Sequence, residues 1–328
     1  MRNILEIERL KEKIIHHAKS LGFDLIGFSP VKVQDKHVKT YKNWLLKHYE
    51  GEMFYMQKAD SRLNSTKISP GAKSVIALAV NYYQPQEKLP SGCGRIARYA
   101  YGRDYHKIIK KKLKQLEKYI QQIDLKHVFQ NVSAVQTRSY VDTGPLLERA
   151  LAEQAGLGFI GKNSCLISRE FGSWVFLSEI IVNIKLHNRN FAEQNFRFCG
   201  NCTKCIESCP TKAIIAPGII DARKCISYLT IENKKPIPKK FTKIIKQTKR
   251  IFGCDICQEV CPHNIARQKQ TIHSELTSPK IAGDQQNFKK IFSIKTDQQF
   301  LNTFAGSPLM RAKRRGLQRN ASIRYMKS

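Results

Sequence analysis

The sequence predicts a helix-and-strand sandwich of the α/β or α+β class, about 200 residues long, followed by a smaller segment organised by bound metal. Two observations predict it. Apolar residues recur at helical spacing and then in short strand-like runs through the first half of the chain. Beyond that, eight of the 10 cysteines crowd between Cys199 and Cys261, among Pro210, Pro217, Pro236, Pro238 and Pro262.

The elements follow in order. Ile4, Leu5, Ile7, Leu10, Ile14, Ile15, Ala18 and Leu21 form a helical stripe over residues 1–22, and Asp24 to Phe28 reads as a short strand after Gly22. The unbroken run Val75 to Val80 within Lys73–Tyr83 suits a strand buried on both faces. Residues 107–122 carry Ile108, Ile109, Leu113, Leu116 and Ile120 against a lysine face, as an amphipathic helix does. Val132 to Val141 reads as a strand, Pro145 to Ala155 as a helix with proline in its first turn, and Gly172 to Ile184 as one or two strands. Gln268 to Gln286 is polar and loop-like, and the last 40 residues read as a helix or two ending in a basic tail. The expected domains are 1–190, 191–268 and 269–328.

Composition narrows the function classes. At 41% apolar and 9% aromatic the chain can bury a core, so disorder is not expected. Its longest apolar stretch, Trp174 to Val182, is interrupted by Ser178 and Glu179 and is too short for a bilayer span. Without an export signal at the start, clustered cysteines point to metal chemistry in a reducing, cytoplasmic setting rather than to disulfides. The net charge of +31 is concentrated in Lys234–Arg250 and Met310–Ser328, so a polyanion is the expected partner. The plainer reading of such runs is a solvated, solubilising surface.

Cys199, Cys202, Cys205 and Cys209 followed by Pro210 form the C-x2-C-x2-C-x3-C-P run of bacterial two-cluster ferredoxins. Cys254, Cys257 and Cys261 followed by Pro262 repeat it one cysteine short, and Cys225 stands alone upstream as the displaced ligand. Ferredoxin cross-wiring gives one 4Fe-4S cluster to Cys199, Cys202, Cys205 and Cys261, and a second to Cys209, Cys225, Cys254 and Cys257. Paired four-cysteine zinc sites are the rival, since they also use C-x2-C steps. Cys93 and Cys165 fall outside the scheme and read as ordinary small residues.

The segments RYAYGRDYH (Arg98–His106), YVDTGPLLERALAEQAGLGFIGKNS (Tyr140–Ser164), DARKCISYLTIE (Asp221–Glu232) and GCDICQEVCP (Gly253–Pro262) resemble the epoxyqueuosine reductases. The likeness runs from the first helix to the basic end, and the lone Cys225 with the shortened second motif fits that family's cluster pattern. The resemblance implies an α+β architecture: a nitroreductase-like cobalamin-binding α/β domain joined to a ferredoxin-like domain with two 4Fe-4S clusters. It implies reduction and dehydration of the epoxide of epoxyqueuosine, at the tRNA wobble position, to queuosine. Electrons would pass singly from a low-potential donor through the clusters to a corrinoid cobalt. The partners implied are a tRNA with a queuosine-type anticodon and that donor, and a monomer is expected. Another corrinoid iron-sulfur reductase acting on a small organic molecule is the alternative, but it leaves the charge unexplained.

By the same resemblance the proton donor is Asp142, and the corrinoid is lined by Arg62, Ala97, Asp142, Lys162, Ser164, Leu166 and Ser227. Read as residues alone, Asp142 and Thr143 before Pro145 also suit a helix cap. Gly158 and Gly161 allow close backbone approach or simply make a turn. Asp104, Tyr105 and His106 imitate the Asp-x-His-x-x-Gly motif that supplies a cobalt ligand elsewhere. Ile109 occupies its glycine position, so His106 is not expected to bind cobalt. Some relatives continue into a helical-repeat tail absent here, so RNA contact is expected from the body and the basic end.

Overall fold

A computed structural model describes residues 2–124, 128–129, 134–187, 198–277 and 281–325. The start of the strand expected from Val132 and the domain boundary expected at 190/191 lie outside them. The helix α1 (Arg2–Ser20) leads into strand β1 (Leu25–Pro30) and helix α2 (Asp35–Leu46). Strand β2 (Ser74–Asn81), strand β3 (Cys93–Ile96), helix α3 (Tyr105–Gln122), strand β4 (Thr137–Tyr140), helix α4 (Glu148–Gln154) and strand β5 (Val175–Val182) follow.

Four of these strands form one sheet in the order β1-β2-β5-β4, antiparallel throughout. The class is therefore α+β. The long buried run of β2 comes from cover on both faces, not from parallel pairing. Successive residues of β2 point to opposite sides. Ile76, Leu78 and Val80 pack with α1 (Leu10, Ile14, Ala18) and α3 (Ile109, Leu113, Leu116, Ile120). Val75 meets Leu146, Ala150 and Leu151 on the other face, where Ala77 and Ala79 meet Ala152 and Leu157. The small Ala77 and Ala79 leave room for α4 to approach closely.

Strand β3 belongs to a second sheet. It pairs in parallel with β6 (Arg250–Phe252) and antiparallel with β7 (Gln285–Asn287), drawing together three distant parts of the sequence. The helix expected over 145–155 begins at Glu148, and residues 141–146 form an irregular turn instead. The C-terminal expectation needs a larger correction. Phe288–Ser293, Asp297–Phe304 and Lys313–Ser322 are helices whose Phe288, Ile291, Phe300, Phe304 and Leu317 share a core with Ile96 and Phe252. The basic end is thus a packed part of the fold, because its apolar positions bury against the second sheet. Among the described residues no helix is long and apolar enough to cross a membrane.

Candidate functional site: a cysteine centre joined to a strained aspartate loop

All 10 cysteines are free thiols. Cys205 lies on a one-turn helix (Lys204–Glu207), and Cys225 precedes the helix Ile226–Ile231. Their mutual electrostatics divide into two sets. Cys205 feels Cys199 and Cys261, while Cys261 feels Cys199 and Cys202. Cys225 feels Cys209, Cys254 feels Cys225, and Cys257 feels both Cys225 and Cys254. Backbone N–H groups point at these sulfurs: Ala213 donates to Cys209 Sγ (3.2 Å) and Lys162 to Cys199 Sγ (3.5 Å). Cys225 receives such bonds from Tyr228 and Ser227, and Cys261 from Asn264 and His263. Such donors stabilise thiolates and tune a bound cluster. Among the described residues no three His, Cys, Asp or Glu side chains close on one ion-sized point. Burial pushes the Cys165 thiol up to about 11, beside Cys261 and Cys225.

Asp142 stands in the turn between β4 and α4. The Thr143 N–H donates to the Val141 carbonyl (2.6 Å), closing a three-residue turn centred on Asp142 at φ +56°. That left-handed turn is uncommon and strained for a residue with a Cβ, of the order of 1–3 kcal/mol. Helix α4 is preceded by Leu147 and has no side-chain cap, so Asp142 does not cap it. The turn is held from two sides. Buried Arg62 donates to the carbonyls of Leu146 (3.0 Å), Gly144 (3.3 Å) and Tyr55 (3.2 Å). From below, the Glu148 carboxyl accepts the Asp142 backbone N–H and contacts Glu179 of β5. Glu148 Oε1 and both Glu179 oxygens are buried without a donor. Burial, reinforced by the Asp142 charge, pushes Glu148 up to about 8, and burial lifts Glu179 well above the carboxylate range. The pair therefore holds protons at neutral pH.

The Asp142 side chain is 56% exposed. Burial would raise its carboxyl. The hydrogen bond and charge of His106, with a bond from Tyr105, outweigh that and leave it below the usual range. His106 Nε2 lies 3.1 Å from Asp142 Oδ2, and its Nδ1 lies 2.7 Å from Asp104 Oδ1. For His106 burial opposes protonation, but the bonds and charges of Asp104 and Asp142 push it up to about 9. Asp104 also caps α3 by accepting the His106 N–H, which fixes the ring at the helix start.

One segment joins the two centres. At its beginning, the Arg98 N–H donates to Asp255 Oδ2 (2.8 Å), between Cys254 and Cys257, and its guanidinium bonds Glu259 Oε1 (2.8 Å). Arg250 closes that network on Glu259 Oε2 (2.6 Å), and the Arg98 guanidinium stacks over Trp174 at 4.8 Å. Tyr105 packs on Phe176 at 4.0 Å, and His106 at the end reaches Asp142. Arg98–His106 thus spans from the second cysteine motif to the aspartate.

With this geometry in place, comparison with known proteins is decisive. Residues 62–143 match a family model described as epoxyqueuosine reductase QueG, and residues 198–264 one described as a 4Fe-4S double cluster binding domain. The epoxyqueuosine reductase of Cyclobacterium marinum is 39% identical over 325 residues, covering 98% of each chain. The chain belongs to the epoxyqueuosine reductase family. The Gloeobacter violaceus member is 37% identical, covering 94% of this chain and 93% of its own. A crystal structure of an epoxyqueuosine reductase with an epoxyqueuosine-modified tyrosine tRNA stem loop superposes with a TM-score of 0.84 at 32% identity, over 97% of this chain and 81% of that one. The Bacillus subtilis epoxyqueuosine reductase, solved with its aspartate-bearing catalytic loop swung out of the active site, superposes with a TM-score of 0.80 at 30% identity over the same shares.

The remaining residues singled out in this epoxyqueuosine reductase family member are not all equally available. Leu166 is 3% exposed in the core with Ala77 and Ala152, and Ala97 is 1% exposed, so both offer backbone only. The Ala97 N–H is itself taken by the Phe252 carbonyl (2.8 Å). Lys162 Nζ donates to the Gly200 carbonyl (2.7 Å), and Ser164, at φ +64°, accepts from Arg149. The Ser227 N–H faces the Cys225 thiol. Gly158 and Gly161 admit no Cβ because Ile167 lies against them, which makes them hairpin glycines rather than an open cradle. Among the basic residues, Arg319 bonds the carbonyls of Leu229, Asn233 and Lys235 and is a structural tie. Arg314 pairs with Asp297 (2.7 Å), and Arg315 is exposed beside Lys295 along a groove of the C-terminal helices. Sequence reading assigned His106 no role as a proton-bearing group and Glu148 and Glu179 no place in the site. Nothing in the sequence between Asp142 and Glu148 marks Glu148 as a partner of the turn, whereas the Asp-x-His of residues 104–106 was visible.

Proposed function

We propose that this chain reduces epoxyqueuosine to queuosine in tRNA, as an oxidoreductase with two 4Fe-4S clusters and a cobalamin. The observation that carries the proposal is the Arg98–His106 segment, which ties the second cysteine motif to Asp142 in a chain 39% identical to an epoxyqueuosine reductase along its length. The two electrostatic sets of thiols support the allocation of Cys199, Cys202, Cys205 and Cys261 to one cluster and of Cys209, Cys225, Cys254 and Cys257 to the other.

The residues present fit a corrinoid. Buried Arg62 Nε has no acceptor beside the Asp142 turn, and exposed Phe54 and Tyr55 offer apolar cover nearby. Arg62, Asp142, Lys162, Ser164 and Ser227 would hold it with side chains or backbone, and Ala97 and Leu166 with backbone alone. When bound, it supplies a strongly reducing cobalt centre. The chain's own part is to place Asp142 and to hold a histidine against its carboxylate. Arg62 and Glu148 hold the turn, and Asp142 would face the substrate oxygen that must leave. Loss of that oxygen as water requires an acid.

The reading is tested by metal content and one isostere. Anaerobically reconstituted protein should bind about eight irons and one cobalamin, and Cys225→Ser should lose about half of the iron while Cys93→Ser loses none. Asp142→Asn should keep iron, cobalamin and stem-loop binding yet lose turnover by about 10²–10⁴-fold, because Asn cannot transfer the proton. Wild-type turnover by that variant would remove Asp142 from the chemistry.

A further inference from the structure

Converting an epoxide to an alkene consumes two electrons and two protons: both C–O bonds of the ring break, a C=C bond forms, and the oxygen leaves as water. The electrons arrive singly from an external one-electron donor through the clusters. One carboxylic acid supplies only one of the protons, and the resting site holds Asp142 as a carboxylate against its histidine. The proton source must therefore lie behind Asp142.

We propose that His106 is that source: a positioning residue that holds a proton against Asp142 and reloads it, so that one carboxyl delivers both protons of a turnover. This rests on Asp142 being the proton donor. The geometry is a chain of three groups, Asp104 Oδ1 to His106 Nδ1 at 2.7 Å and His106 Nε2 to Asp142 Oδ2 at 3.1 Å. As an imidazolium the ring donates from both nitrogens, so each hydrogen bond is charge-assisted. Asp104 fixes the ring and stabilises its charge, as a carboxylate orients a histidine base in hydrolytic triads. The His106 proton passes from Nε2 to Oδ2, and the carboxyl so formed gives it to the departing oxygen. The ring, 31% exposed, then takes a fresh proton from water for the second transfer.

The surroundings keep the proton on His106 and the charge on Asp142 at rest. Tyr105 stacks on the imidazole at 4.2 Å and bonds Asp142, so the ring and the carboxyl share one wall. Arg311 lowers the Asp142 carboxyl and Glu148 faces it from α4, its own proton retained at neutral pH. His106 therefore remains charged up to about pH 9 in the resting protein, with Asp104, Asp142, Tyr105, Arg311, Glu148 and Glu179 as the titratable groups around the chain.

The test uses the cluster- and cobalamin-loaded enzyme with a modified anticodon stem-loop, and ¹⁵N-histidine NMR of the oxidised protein. His106 should titrate near 9, and Asp142→Asn should bring that value down. His106→Gln should keep iron, cobalamin and stem-loop affinity but lose turnover by about 10–100-fold, together with the alkaline limb of the pH profile. Asp104→Asn keeps the helix cap and removes one charge, and should move that limb down by about one unit. Titration of His106 at its ordinary 6.5, or wild-type turnover and pH profile in both His106→Gln and Asp104→Asn while Asp142→Asn is inactive, would overturn the relay and leave Asp142 as the donor. Full activity in Asp142→Asn would instead overturn the reading on which the relay rests.

Discussion

The two ends of the Arg98–His106 segment are both networks of acids and bases, and they are built to opposite ends. At Arg98 two arginines and Asp255 are buried beside the half-buried Glu259, and every charge has a partner: Arg98 with Asp255 and Glu259, Arg250 with Glu259. At His106 the same kinds of group are part-exposed, and the carboxyl at the tip sits on a strained turn with its charge held by a histidine that can lose its proton. Buried pairing fixes a position; an exposed, titratable pairing can exchange a proton. The first network ties the second cysteine motif to the Arg98 segment, and the second holds Asp142 at the other end of that segment.

The sharpest way to break the contrast is at its buried end. Arg98→Met should leave Asp255 buried without its guanidinium partner and cost about 3–5 kcal/mol, read by anaerobic denaturation, with loss of iron from the second cysteine set. A change under about 1 kcal/mol would mean the network is not an anchor, since surface ion pairs contribute that little.

A middle-sized effect is expected from the acids beneath the Asp142 turn. Glu148 is raised from 4.5 to about 8 in the folded protein, so between those values the native state holds a proton that the unfolded chain has released. Stability should therefore fall as pH rises from about 4.5 to about 8 and level off beyond, by proton linkage. Glu148→Gln should flatten that slope, with its largest gain over wild type at pH 8, in melting temperatures taken across the window. Parallel curves for the two proteins would show that the pair carries no proton.

The smallest effects separate the two kinds of arginine at the C-terminal end. Arg315→Ala should leave stability unchanged and reduce the salt slope of stem-loop binding by about 0.7, the release expected for one phosphate contact on single-stranded nucleic acid. Arg319→Ala should do the reverse, destabilising the fold through three lost carbonyl contacts before any change in salt slope.

The cysteine motifs within the matched 4Fe-4S domain were legible in the sequence because their spacing is local. Two-residue gaps place successive thiols around one centre whatever lies elsewhere, so spacing alone separated Cys199 to Cys209 from Cys93 and Cys165. The buried strand at Val75–Val80 and the helix through Leu113 were legible for the same reason, since burial writes a period into the chain. Helices at the end of the chain were expected and are there, but the packing of the basic end was not: Leu317 and Ala321 are too few to announce a buried face among Lys313, Arg314, Arg315 and Arg319. Their burial depends on Ile96 and Phe252, far away in sequence. The same holds at the aspartate. Residue types alone fixed that Asp142 precedes a proline and that Asp104 and His106 share one turn. Only the tertiary structure decided that β4 and α3 bring these two pieces within 3.1 Å, that Arg62 and Glu148 pin the turn between them, and that Glu179, on a central strand, lies beneath it. Proton affinity is set by burial and by charges across space, and neither is written in the order of the residues.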